Sequence, residues 1–179
     1  MANETQLYQV YYVPGFPGTK SDTAKKLNEI QHKYGSNVIE LNYNPDLPWY
    51  SLLQMEDQVV ESEAHPIIVA SSLGGWFAER LQRRVPCDLI LWNPSLHPDL
   101  TKYGMTVKYD AIESVDRSTP RTVFLGELDD VVNMDYAHNI YKNKARINIL
   151  QEGHRMSGAG LIAVSNAIED HKCFLSKSS

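Results

Sequence analysis

Short apolar runs rich in β-branched residues alternate along the chain with longer stretches in which apolar residues recur every three or four positions. The short runs are typical of buried strands, and the longer stretches are typical of helices with one buried face. Six strands are predicted, at Gln6–Val13, Asn37–Leu41, Pro66–Ala70, Asp88–Trp92, Arg121–Leu125 and Arg146–Leu150. Five helices are predicted, at Thr23–Tyr34, Trp49–Ser62, Leu73–Arg84, Asn133–Lys144 and Gly158–Lys172. This alternation predicts the α/β class, with a mostly parallel sheet that carries helices on both faces.

One connection is much longer than the rest. Residues 93–120, 28 in all, separate the fourth predicted strand from the fifth, whereas such connections usually have about two to six residues. Apolar residues alternate with polar or small ones within it, at Tyr103, Met105, Val107 and Tyr109. Two interpretations stay open: a surface excursion with one extra strand, or a lid over residues 95–118 that adds an apolar wall to a site.

Length and composition limit the architecture and the partners. A chain of 179 residues is most simply one domain, predicted over residues 1–175, with a disordered tail at 176–179. The net charge of -5 and the scattered charges argue against a nucleic-acid partner. No apolar run reaches the roughly 18 residues of a membrane-spanning helix. The first residues do not resemble a secretory signal, and Cys87 and Cys173 lack a paired spacing, so we expect a cytoplasmic location.

Three kinds of reactive side chain follow predicted strands directly. Ser71 and Ser72 follow the third strand, Asp129 and Asp130 follow the fifth, and His154 follows the sixth. In such sheets, ligands bind outside the carboxyl ends of the strands, so these side chains are expected at one edge. A histidine there can take a proton from a serine, and an acid can orient the histidine. From position alone, either aspartate can be that acid.

The two serines differ in their neighbours. A nucleophile on a sharp strand-to-helix turn needs small residues two positions before and after it, because the strand and the helix approach closely. Ser72 has Ala70 and Gly74 at these positions, whereas Ser71 has bulky residues at both. The spacing therefore selects Ser72, in a variant of the G-x-S-x-G pattern with alanine first. The amide of Leu73, at the start of the next helix, is expected to stabilise an oxyanion. The alternative is that a serine only caps this helix.

These segments resemble the α/β hydrolase superfamily over nearly the whole chain, and most of all the small bacterial YqiA-type serine esterases. The resemblance rests on three motifs of the sequence and one dipeptide: the elbow Ser71-Ser-Leu-Gly-Gly75, the loop Gly126-Glu-Leu-Asp129-Asp-Val, the loop Glu152-Gly-His154, and Asn93-Pro94. It implies a compact α/β-hydrolase fold with an insertion between strands four and five. By the spacing of the family's acid loop, it also implies that Asp129 and not Asp130 is the acid.

The resemblance extends to the loop after the first strand, with one departure. Family members have His-Gly-Phe there, and this chain has Pro14-Gly15-Phe16. The family's use of this loop implies that the backbone N–H of Phe16 forms the second half of an oxyanion hole, beside Leu73. The histidine of the family motif is replaced by Pro14.

The implied function is that of a serine hydrolase. Ser72, His154 and Asp129 would form a catalytic triad that cleaves small-molecule esters or thioesters with small to medium acyl groups, through an acyl-enzyme. Phe16, Trp92, Tyr103 and Met105 are predicted to form an apolar acyl pocket, and no metal or organic cofactor is predicted. Two alternatives stay open: a binding protein that has kept the fold without catalysis, and an acyltransferase or peptidase that uses the same triad.

Overall fold

The computed structural model describes residues 7–178, with side chains up to residue 175, and within this range strands and helices alternate along the chain. The strands are β1 (Tyr8–Val13), β2 (Val38–Glu40), β3 (His65–Ser71), β4 (Asp88–Trp92), β5 (Arg121–Gly126) and β6 (Arg146–Leu150). The helices are α1 (Asp22–His32), α2 (Pro48–Val60), α3 (Leu73–Gln82), α4 (Met134–Tyr141) and α5 (Gly158–Ser178). The strands form one sheet in the order β2-β1-β3-β4-β5-β6, and every neighbouring pair is parallel. The predicted α/β class and the six-stranded sheet are confirmed.

The sheet is covered by helices on both faces. In β3, Ile68 and Ala70 face the side that is covered by α2, α3 and α4, whereas Ile67 and Val69 face α1 and α5. A strand that is buried on both faces has no polar positions in its middle, which explains why β3 is apolar at consecutive residues. The carboxyl ends of the strands remain uncovered, because the helices lie along the two faces.

The helix ends follow local signals in the sequence. The side chain of Ser21 accepts a hydrogen bond from the N–H of Thr23 and caps α1, and Asn133 caps α4 in the same way through Tyr136. Helix α5 continues to Ser178, so the tail predicted to be disordered at 176–179 is helical over 176–178, and residue 179 lies outside the described residues. No glycine or proline interrupts the helix after Gly160.

The long insertion has an irregular backbone. Residues 93–120, all of them described, contain one 3₁₀ turn at Thr101–Tyr103 and no strand. The interpretation with an extra strand is therefore wrong. Met105, Val107 and Tyr109 do pack against the core, whereas Tyr103 is 49% exposed. The indole of Trp76 in α3 donates to the carbonyl of Asp110 at 2.7 Å, and the hydroxyl of Tyr109 donates to Pro45 at 2.8 Å.

A buried charged cluster lies at the amino ends of the strands. Asp88, the first residue of β4, is 3% exposed and hydrogen-bonds His171 of α5 at 2.7 Å and His65 of β3 at 2.9 Å. Burial raises the pKa of Asp88, but the hydrogen bonds from His171 and His65 lower it more, so it lies below its ordinary value.

Within residues 7–178, no helix has both the length and the apolar character needed to cross a membrane.

Candidate active site

Ser72 lies on a sharp turn between β3 and α3. Its backbone has φ 50° and ψ -123°, a conformation that residues other than glycine rarely adopt and that stores strain. A side chain on Gly74 would overlap the carbonyl oxygens of Val13 and Pro14, so a glycine there lets α3 start against the end of β1. Within the described part of the chain, the Ser72 side chain makes no capping hydrogen bond to α3. The turn therefore presents the Ser72 hydroxyl without using it in the helix.

Ser71 has different surroundings from Ser72. Its hydroxyl forms a hydrogen bond of 2.8 Å with the hydroxyl of Tyr12, a buried residue of β1. Burial raises the pKa of Tyr12 even though the hydrogen bond with Ser71 lowers it, so the phenol stays protonated at neutral pH. The sequence pattern did not point to Tyr12. Tyr12 is one of three tyrosines in β1, and the sequence alone does not distinguish it from the other two.

Asp129 and His154 are paired. The Nδ1 atom of His154 lies 2.9 Å from Oδ2 of Asp129, whose side chain is 1% exposed. The other carboxylate oxygen, Oδ1, accepts hydrogen bonds from the backbone N–H groups of Val131 at 2.8 Å and Val132 at 3.0 Å. A carboxylate only accepts hydrogen bonds, so the imidazole proton is on Nδ1 and Nε2 is left as a proton acceptor. Asp130 is exposed.

The turn at Ser72 and the histidine of the Asp129–His154 pair lie at one cavity of about 1260 Å³, at the carboxyl ends of the strands. Ser72 and His154 both line it, as do Leu73, Phe16 and Tyr103. Other apolar lining residues are Leu96, Leu100, Val131, Val132, Tyr136 and Met156, and charged ones are Lys20, Asp22, Lys26, Asp99, Lys102, Asp130 and Arg155. The wall is therefore of mixed polarity. Among residues 7–178, no group of three or more histidine, cysteine or acidic side chains could hold a metal ion.

The two segments predicted to supply the oxyanion hole both approach Ser72. Leu73 is the first residue of α3, so its N–H has no acceptor within the helix. The loop after β1 approaches from the other side, since a Cβ atom at Gly15 would be 3.2 Å from that of Ser72. Phe16 follows Gly15 and lines the cavity. This places the two residues predicted to supply the oxyanion hole next to the same serine.

The structure separates the four residues predicted for the acyl pocket. Phe16 and Tyr103 line the cavity and stack on each other, with ring centroids 4.7 Å apart. Trp92 and Met105 are not among the residues that line it. Trp92 is 1% exposed, because the alternation of β4 turns it toward the α5 face, and its indole donates to the carbonyl of His154 at 3.1 Å. Met105 packs against the core on the opposite face.

The sequence matches the family described as "Uncharacterised protein family (UPF0227)" over residues 9–154. The chain belongs to this family. It is 27% identical over 111 residues to a UPF0227 protein of Vibrio atlanticus (strain LGP32), covering 59% of this chain and 62% of that protein. It is 26% identical over 100 residues to a UPF0227 protein of Shewanella oneidensis, covering 53% and 55%. The matched region thus spans less than two thirds of the length of these relatives.

Solved structures share the fold of this UPF0227 member. The ydeN gene product of B. subtilis has a TM-score of 0.72 at 18% identity, with 93% of this chain and 99% of that chain covered. Est1E from Butyrivibrio proteoclasticus has a TM-score of 0.71 at 14% identity, with 98% and 90% covered. A putative α/β superfamily hydrolase from Xanthomonas campestris pv. campestris has a TM-score of 0.68 at 18% identity, with 90% and 95% covered. The predicted α/β hydrolase fold is confirmed, and the structures that share it include hydrolases and esterases.

Proposed function

We propose that this protein is a serine hydrolase that cleaves carboxylic esters or thioesters with small to medium acyl groups. The observation that supports this most strongly is the strained position of Ser72 at the cavity that His154, paired with Asp129, also lines. Holding a residue in such a backbone conformation costs about 1–3 kcal/mol. Strain of this kind occurs at ligand-binding sites as well as at active sites. The Asp129–His154 pair at the same cavity is what favours catalysis over binding alone.

The proposed reaction has two steps. Nε2 of His154 takes the proton of the Ser72 hydroxyl as its oxygen attacks the substrate carbonyl, and the N–H groups of Phe16 and Leu73 donate to the resulting oxyanion. His154 then gives the proton to the departing alcohol or thiol, which leaves an acyl group on Ser72. Water, activated by His154, attacks this acyl-enzyme and releases the acid. Asp129 holds the imidazole in the required tautomer throughout.

The cavity has enough room for a small-molecule substrate. Its volume of about 1260 Å³ is above the range of about 300–1,000 Å³ in which most small ligands bind. An acyl group of several carbons and a leaving group therefore fit together. Est1E, which shares the fold, has been solved with ferulic acid bound, in line with a site for organic acids and their esters.

The test is covalent labelling with a fluorophosphonate probe, which reacts with an activated serine. We expect wild type and Ser71→Ala to be labelled, and Ser72→Ala to remain unlabelled. Labelling that persists in Ser72→Ala but disappears in Ser71→Ala would show that the nucleophile is assigned to the wrong serine.

Hydrolysis of p-nitrophenyl esters of graded chain length tests the reaction itself. We expect turnover that depends on acyl length and disappears in Ser72→Ala. Intact labelling without hydrolysis of any ester would favour an acyltransferase or peptidase that uses the same residues.

A further inference from the structure

Asn93 connects the two loops that carry the acid and the histidine. It follows β4 directly, is 2% exposed and has a φ of 42°. Its side-chain Nδ2 donates to the carbonyl of Gly153 at 2.9 Å, while Oδ1 accepts from the backbone N–H of Gly126 at 2.7 Å. Gly126 opens the loop that carries Asp129, and Gly153 immediately precedes His154. A single carboxamide therefore spans both loops.

Residues 92–95, which include Asn93, also form backbone hydrogen bonds with Ser72. The backbone N–H of Ser72 donates to the carbonyl of Trp92 at 3.0 Å, and that of Ser95 donates to the carbonyl of Ser72 at 2.9 Å. Nδ2 of Asn93 lies a further 3.3 Å from the carbonyl of His154. All three candidate catalytic residues are therefore connected, through backbone groups, to residues 92–95.

Few residues can occupy this position. A positive φ favours glycine or asparagine, and of these two only asparagine has a side chain that offers a donor and an acceptor. Asn93 is buried behind the cavity wall and does not line the cavity, so it has no direct contact with a substrate.

We propose that Asn93 is a positioning residue for the reaction. Its side-chain hydrogen bonds, together with the direct backbone hydrogen bond from Leu128 to Glu152 at 3.0 Å, hold the two loops at a set separation. They thereby set the place of the Asp129–His154 pair relative to Ser72. A displacement of about 1 Å in such a constellation costs about 100-fold in rate. The kinetic part of this inference rests on the proposed function.

Two substitutions separate positioning from general stability. Asn93→Gly keeps the backbone conformation accessible and removes all three side-chain hydrogen bonds. We expect kcat for a p-nitrophenyl ester to fall by about 10- to 100-fold, with KM within about threefold of wild type, since the substrate contacts are unchanged. In the NMR spectrum, the downfield proton of His154 Nδ1, assigned by its loss in Asp129→Asn, should broaden through faster exchange with water.

Asn93→Asp supplies the conservative variant. As a carboxylate, the new side chain repels the carbonyl of Gly153; once protonated, it regains a donor and keeps an acceptor for Gly126. We expect the ratio of its kcat to that of wild type to rise as the pH falls. This variant also decides the question if Asn93→Gly does not fold, because it has the shape of the native residue.

Two control variants each reproduce one effect of Asn93→Gly: the change to glycine at a positive φ, and the loss of a buried hydrogen bond. Asn143→Gly alters an exposed asparagine with a φ of 62°, which is matched for backbone conformation. Thr122→Val removes a buried hydrogen bond of 3.0 Å to His171 near the opposite end of β5. We expect both controls to keep the wild-type kcat and His154 proton signal, even if Thr122→Val melts at a lower temperature.

The proposal is wrong if Asn93→Gly keeps the wild-type kcat and the His154 signal while losing only thermal stability. It is also wrong if the kcat ratio of Asn93→Asp to wild type does not change with pH. A failure of the proposed function is recognised separately, because the wild type would then not react with the fluorophosphonate probe. The NMR signal still tests the position of His154 in that case.

Discussion

At the residue scale, adjacent side chains of the same type have different surroundings. The carboxylate of Asp129 is buried, receives two backbone N–H groups and contacts His154, whereas Asp130 is exposed at the rim of the cavity. The two serines at the β3–α3 turn also differ, since the hydroxyl of Ser71 forms a hydrogen bond with Tyr12 and Ser72 has no capping hydrogen bond to α3. A shift of one position along the chain therefore gives side chains of the same type different partners.

The two acids give a direct prediction. We expect Asp129→Asn to lower kcat by about 10⁴-fold, because an amide can donate to Nδ1 of His154 and stabilise the wrong tautomer. Asp130→Asn, the matched control, should stay within a few-fold of wild type. Steady-state hydrolysis of a p-nitrophenyl ester measures both. Equal losses in the two variants would contradict the assignment of the acid.

Single residues differed in how far the sequence could predict them. Ser72 was predictable because the need for small neighbours is local, and Gly74 lies where the turn is tightest. The direction of Trp92 was not predictable, because it depends on which face of the sheet α5 covers. Asn93 was visible only as part of a family resemblance, since its two partners are distant in sequence.

At the element scale, the insertion has two parts with different contacts. Residues 95–103 contribute Leu96, Leu100 and Tyr103 to the cavity wall. The part after Met105 is fixed on α3 and α4. At the end of α3, the guanidinium of Arg83 donates to the carbonyl of Ser114 at 2.9 Å, and in α4 the hydroxyl of Tyr136 donates to the carbonyl of Ile112 at 3.1 Å. The interpretation as a lid over 95–118 thus fits the first part only, and the second part anchors it.

The Phe16–Tyr103 stack joins the insertion to the loop after β1, and it can be tested. We expect Tyr103→Ala to lower kcat/KM by about fivefold, because a stacked aromatic pair contributes about 1 kcal/mol. Tyr103→Phe keeps the ring and should retain the wild-type value. Tyr50→Ala, which removes an exposed aromatic ring of α2 outside the cavity, is the surface control. A loss in Tyr103→Phe as large as in Tyr103→Ala would mean that the hydroxyl matters more than the stack.

The regular elements were predictable because their periodicity reflects the two covered faces of the sheet. The backbone of the insertion was not, because alternating burial alone does not show whether a strand lies alongside to pair with it. Met105 and Tyr109 have that alternation, yet they pack onto the core and the helices. The length of α5 was also missed, since serine and lysine residues at a helix end suit a helix as well as a tail.

At the scale of the whole molecule, the site and the buried Asp88 cluster lie at opposite ends of the sheet. Asp88 connects β4 to β3 through His65 and to α5 through His171. Its folded-state pKa is below the ordinary value, so the folded protein binds a proton there less readily than the unfolded chain. The stabilisation is therefore present at neutral pH and is lost as the pH falls through about 4 and below.

This cluster predicts a pH-dependent stability. We expect Asp88→Asn to lower the free energy of unfolding at pH 7 by about 2 kcal/mol, or the Tm by about 4–8 °C. The difference from wild type should shrink as the pH falls from about 5 to 3. Asp170→Asn, which breaks the exposed ion pair with Arg146, should change the Tm by about 1 °C or less at each pH. Thermal unfolding at several pH values measures the Tm of each variant. A Tm difference between Asp88→Asn and wild type that does not change with pH would contradict the prediction.

The strained backbone of Ser72 also sets a limit on how stable this protein can become. Glycine adopts a positive φ without cost, so Ser72→Gly would relieve the turn and at the same time remove the hydroxyl. Domains are stable by only about 5–15 kcal/mol, and strain of about 1–3 kcal/mol is a substantial part of that margin. Selection for stability alone would therefore favour loss of the reactive group at position 72. The catalytic role that we propose for Ser72 accounts for this cost as a trade of stability for activity at a single residue.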